Sequence, residues 1–148
     1  MMQWSKTLLL GASLCAVTGI SQAKQVMCVF DLVGKSGDVF SLMKDYQLAA
    51  KNWGADIELR VNTNEAVVAE DFKAGKCDGI SVTGMRGRQF NLFTGSLDAI
   101  GAITNLNLAV KVMQGLASSK FAPQMVQGKY EIAGVIPIGD AYLLVNDR

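Results

Sequence analysis

The chain has 148 residues, with 14 Lys and Arg against 13 Asp and Glu and a formal net charge of +1. So even a balance is a poor match for a nucleic-acid binder, whose affinity rests on a surplus of cations facing phosphates. Histidine is absent, which removes the commonest general base and the commonest transition-metal ligand. No Ser, Lys or carboxylate constellation takes its place, so neither an enzyme nor a cofactor or metal site is expected.

The first residues read as a targeting segment. Met1 to Lys6 carry one positive charge, Thr7 to Ile20 form an apolar run, and Ser21-Gln22-Ala23 place small residues where a signal peptidase reads. The expectation is a signal peptide over residues 1–23, removed on export, with residues 24–148 as one domain in the periplasm. Cys15 invites a lipoprotein reading, but Leu14 is too large for the residue preceding a lipidated cysteine. No membrane span remains after Ala23, since Thr7 to Ile20 is itself short for one.

Lys24 to Val33 is a nearly continuous apolar run, as a buried central parallel strand requires. Gly34-Lys35-Ser36-Gly37-Asp38 then leads into a helix. A phosphate loop would need glycine at position 29, which is valine, so that motif fails. What survives is a weaker anion seat made by Ser36 and the backbone at Gly34 and Gly37, beside a turn that Ser36 or Asp38 could cap.

Val39 to Trp53 reads as the helix, with Trp53 packing on the sheet and Gly54 stopping it. Ala55 to Val61 alternates apolar and polar residues, which predicts a strand near the edge with one solvated face. Glu65 to Ala74 returns as a helix closed by Gly75. Cys77 to Thr83 follows as a third strand, and Gly84 to Asn91 as a loop at its carboxyl end. The order β-α-β-α-β with short connections predicts an α/β fold with right-handed crossovers in a mostly parallel, doubly wound sheet. Ligands of such sheets collect outside the carboxyl ends of the strands. Arg86, Arg88, Gln89 and Asn91 are therefore the candidate binding residues, with the arginine forks suited to a carboxylate.

Beyond Asn91 the pattern loosens. Phe93 to Gly101 reads as a loop with a short helical turn. Asn105 to Ala117 reads as a helix whose Leu106, Ala109, Val110, Met113 and Leu116 form a core stripe. Pro123 and Gly128 mark a loop, and Tyr130 to Ile138 and Ala141 to Val145 read as strands.

Once Cys15 is removed, Cys28 and Cys77 remain. In an exported protein an even pair suggests a disulfide. Neighbouring parallel strands offer poor bridging geometry, so two buried free thiols stay open as the alternative.

The segments CVFDLVGKSGD, WGADIELR, DFKAGKCDGISVTGMRGRQFNLFTGSLDAIG and YEIAGVIPIGDAYLLVNDR together resemble the AdeT-type family of solute-binding proteins. That family resembles the periplasmic receptors of TRAP transporters, which have two α/β lobes hinged around a cleft. The resemblance implies that this chain corresponds to the first lobe, with the second lobe missing. It also implies a small-molecule solute, an anion among the candidates, and membrane transporter subunits as partners. Some members are labelled as an RND-type efflux component linked to aminoglycoside resistance, which gives the alternative of an accessory envelope protein. A cationic aminoglycoside would need carboxylates such as Asp31, Asp78 or Asp98 rather than the two arginines.

Overall fold

The computed structural model describes residues 24–99 and 101–139. The signal peptide read at 1–23 and the strand read at Ala141 to Val145 lie outside the described residues. Among the described residues strand β1, Gln25–Phe30, is central in a three-stranded parallel sheet of order β2-β1-β3. Strand β2, Ile57–Asn62, forms one edge and β3, Gly79–Ser81, the other. Residue side alternates along each strand, so Cys28 and Val29 face opposite ways.

Helix α2, Glu65–Lys73, covers the Cys28 face. There Val68 is buried with Cys28 and Cys77, and Phe72, Val26, Phe30, Ile80 and Val82 pack around them. Helix α1, Asp38–Ala50, joins β1 to β2 and packs on both. Its inward stripe is Phe40, Met43, Gln47 and Ala50, against the face that carries the fully buried Val29 and the buried Ile57. With the helices on opposite faces and β1 between the later strands, the expected doubly wound α/β arrangement is present.

Local chemistry sets the boundaries. Asn64 caps α2 by accepting a 3.0 Å bond from the Ala66 amide. Gly75 follows at φ +72, the left-handed conformation that ends a helix without a Cβ penalty. Helix α1 stops at Ala50, and Lys51–Trp53 continue as a 3-10 turn. This carries Trp53 beyond the packed stripe: it is 72% exposed, and the packing of Trp53 on the sheet expected from the sequence is not found.

The disulfide between Cys28 and Cys77 is formed, with Cα atoms 5.9 Å apart. Cys77 lies in the turn before β3 and not in the strand. Register pairs Cys28 with Ile80, three positions further on. The bridge thus avoids the in-register geometry that parallel neighbours cannot satisfy. The strand read from Cys77 to Thr83 is three residues long, Gly79–Ser81.

The segment read as an open loop at Gly84 begins as one helical turn, α3, Gly84–Gly87. Thr83 Oγ1 caps it, accepting from the Arg86 amide at 3.2 Å. A second turn, α4, Thr94–Leu97, follows. Helix α5, Leu106–Leu116, is capped by Asn105. Of its apolar stripe Ala109 and Leu116 are buried, whereas Leu106 and Val110 are exposed, so the stripe is only partly core.

Pro123 lies in a further helical turn, α6, Ala122–Met125, which runs into β4, Val126–Gln127. β4 pairs antiparallel with β5, Tyr130–Glu131, across Gly128 at φ +62. The long strand expected from Tyr130 to Ile138 is therefore two residues of ladder followed by irregular chain. A two-residue partner can pair no more than that. Tyr130 packs with Phe72 and Phe90 at centroid distances of 5.5 and 5.0 Å, which fastens this hairpin to α2 and to the turn after α3.

Candidate ligand site at the carboxyl edge of the sheet

Leaving β1 the chain turns toward α1 and β2; returning through α2 it crosses to β3 on the other side. The β1–β3 boundary is thus where the winding reverses, the place where open α/β sheets hold ligands. Val29 is registered with Ser81, so the two chains leave the sheet side by side. One continues into Gly34, Ser36 and Gly37, the other into Thr83, Arg86 and Arg88.

On the β1 side the backbone is largely self-satisfied. The Gly34 amide donates to Asp31 O at 3.0 Å and the Gly37 amide to Gly34 O at 3.2 Å. Asp31, itself buried at 5% exposure, accepts at 2.9 Å from the amides of both Phe40 and Val33. Those amides, Phe40 first, hold its carboxyl below the usual carboxylate range. The cap of α1 is therefore this distant carboxylate: Gly37 is the N-cap residue and makes no side-chain bond, where Ser36 or Asp38 was expected. Ser36 is exposed.

On the β3 side Glu65 is the organising group. Its Oε1 accepts from the Thr83 amide at 2.6 Å, and its Oε2 lies 3.5 Å from Arg86 Nε. The Met85 amide donates to Asp98 at 2.8 Å. Arg86 thus pairs through Nε, and its two terminal nitrogens form no hydrogen bond among the described residues. Arg88 is exposed, its stem lies against Gly95, and among the described residues no carboxylate is within ion-pair distance of it.

The two amides are placed differently. Gln89 is exposed and donates to Arg86 O at 3.1 Å. Asn91 is buried at 3% exposure, accepting from the Phe93 amide and donating to Gln124 O at 3.0 Å. The sequence reading gave Asn91 a ligand role and missed its position in the core, which its placement immediately after the buried Phe90 signals. It also left Glu65 inside a helix, although an acid in the first turn after a strand can reach the neighbouring strand end. Asp78, read as a carboxylate for a cation, sits at the other end of the sheet, bonded to the Val26 amide at 2.7 Å.

A concavity of about 410 Å³ adjoins the β1 turn, with Val33, Val39 and Leu42 facing Ile136 and Ile138 and with Asp31 and Asp38 at its wall. Neither Arg86 nor Arg88 lines it. Among the described residues no three His, Cys, Asp or Glu side chains are grouped to hold a metal ion. No helix among them is long and apolar enough to cross a membrane.

A lobe of this kind, with β1 and β3 leaving a parallel sheet as neighbours at the switch point, belongs to the class of doubly wound α/β domains. The chain is a member of the family described as "Solute-binding protein AdeT 1/2", whose profile matches residues 47–148. It is 58% identical over 120 residues to "Probable solute-binding protein AdeT1" of Acinetobacter baumannii. That match covers 81% of this chain and 40% of the relative, so the chain spans well under half the relative's length. No solved structure matches it.

Proposed function

We propose that the chain is the first lobe, residues 24–148, of a periplasmic solute-binding protein that delivers a small anionic solute to a TRAP-like membrane transporter. The observation that carries this reading is the exit of β1 and β3 side by side, with Arg86 and Arg88 on one chain and Ser36 on the other. Arg86 is oriented by Glu65 through Nε, which leaves a fork for a carboxylate. Arg88 supplies a second charge, and Gln89 and Ser36 supply exposed hydrogen-bonding groups. Gly34, Gly37 and Asn91 act by shaping the two turns. The disulfide fits an oxidising compartment, and export predicts Lys24 as the N-terminus measured by mass spectrometry of periplasmic protein.

Titration calorimetry against a panel of carboxylates tests the site. Arg86→Lys keeps charge and loses the fork, so affinity should fall tenfold to a hundredfold, about 1.5–3 kcal/mol. Arg88→Ala should weaken binding with no change in melting temperature. A wild-type chain that binds none of the carboxylates, with Arg86→Ala lowering only the melting temperature, would show Arg86 to be a purely structural partner of Glu65.

A further inference from the structure

Away from the switch point, α1 and the β2 edge enclose a second concavity of about 440 Å³. Lys35, Lys44 and Lys51 line it together with Lys24 and Gln47. Lys44 and Lys51 are seven residues apart on one face, about 10.5 Å along the helix axis. Lys51 starts the 3-10 turn that continues α1, and Lys35 lies in the turn before the helix. Among the described residues none of these three makes an ion pair, whereas Lys24 is 3.4 Å from Glu58. Glu58 is already shared with Arg60 at 2.7 Å, so its charge is spent within the strand. Asp56 is the other acid in the lining. The lining thus sets four ammonium groups, Lys24, Lys35, Lys44 and Lys51, against two carboxylates, Asp56 and Glu58, a local surplus of two positive charges in a chain whose overall charge is close to zero.

Lysines guard sheet edges when they sit on the edge strand. Here β2 carries Glu58 and Arg60, and the three lysines come from the helix and turns beside it, so edge protection does not explain their placement along one hollow. A packed core does not either, since all three are exposed. Mutual repulsion of cations around a hollow is relieved by a bound polyanion. Lysine ammonium groups bind phosphate as point charges, and their attraction grows with the number of anionic groups on the ligand.

We infer that the hollow between α1 and β2 binds a polyanion carrying two or more phosphate groups, held by Lys35, Lys44 and Lys51. Lys35 stands in the same turn as Ser36 of the switch-point site, whereas Lys44 and Lys51 belong to α1 and its 3-10 extension and lie outside that site.

Calorimetry with inorganic tripolyphosphate, and co-sedimentation with vesicles of phosphatidylcholine with and without anionic phosphatidylglycerol, distinguish a free polyphosphate from lipid headgroups. Saturable binding in either arm, weakening steeply with salt, is expected. The double variant Lys44→Gln, Lys51→Gln should lose tenfold or more in affinity while melting as wild type does, because both side chains are exposed. Arg88→Ala should bind the same probe unchanged, so failure here is distinguishable from failure of the solute site. Absence of binding in both arms, or equal binding by the double variant, overturns the inference.

Discussion

The carboxylate of Asp31 occupies the space that a side chain at Gly37 would need: a Cβ built on Gly37 would overlap all three carboxyl atoms. The same carboxylate holds the Phe40 amide at the start of α1. Gly37 is therefore required by a close approach and not by its backbone angle, since its φ is −85. Gly37→Ala should displace Asp31 from the helix end and destabilise the fold by about 1–3 kcal/mol, the usual range for overpacking. Chemical denaturation measures this directly. An unchanged midpoint would mean that the turn opens freely and the cap has no weight.

Acid should reveal the same contact. The Phe40 and Val33 amides lower the Asp31 pKa from 3.8. A carboxyl whose folded value lies below its unfolded one stabilises above the unfolded value and loses that contribution as pH falls through the folded one. Glu58 acts in the same sense, lowered from 4.5 by Arg60 and then Lys24. Melting temperature should thus fall as pH drops below about 4, and Asp31→Asn should show a shallower fall than wild type. Parallel acid profiles for the two proteins would count against Asp31 as the cap.

The disulfide gives a third expectation. Thiol titration of unfolded, unreduced protein should find neither Cys28 nor Cys77 free. Closing a loop of this size constrains the unfolded chain by about 4 kcal/mol on the chain-entropy account. Cys28→Ser with Cys77→Ser should lower stability by a comparable amount, read from urea midpoints. A loss below about 1 kcal/mol would mean that the reduced chain is already compact.

What could be read from the sequence was what local patterning encodes. The alternation over Ala55 to Val61 predicted a strand near the edge with one solvated face, and among the described residues β2 is an edge strand with Arg60 exposed and Glu58 half-buried. Asn64 and Gly75 bracket α2 because caps are chemistry of single residues. Less legible was anything decided at long range. An apolar run such as Tyr130 to Ile138 does not state whether a partner strand exists, and among the described residues only Val126–Gln127 pairs with it. Leu106 and Val110 hold a stripe at helical spacing, yet spacing does not specify what covers it. At the site, the arginines stood out as charges after a strand, whereas Glu65 and Asp31 exert their effect 18 and 9 residues away in sequence, at the amides of Thr83 and Phe40.

The bridge between Cys28 and Cys77 also decides how the molecule carries tension. The two sulfurs are separated by 49 positions, and α1, β2 and α2 lie between them. A force applied at the two ends of the oxidised chain passes from β1 straight across to the turn before β3, bypassing that whole stretch. Roughly 160–180 Å of contour is thereby shielded from extension. In a pulling experiment the oxidised molecule lengthens only from its flanks, and the addition of reductant releases the hidden length as one further step.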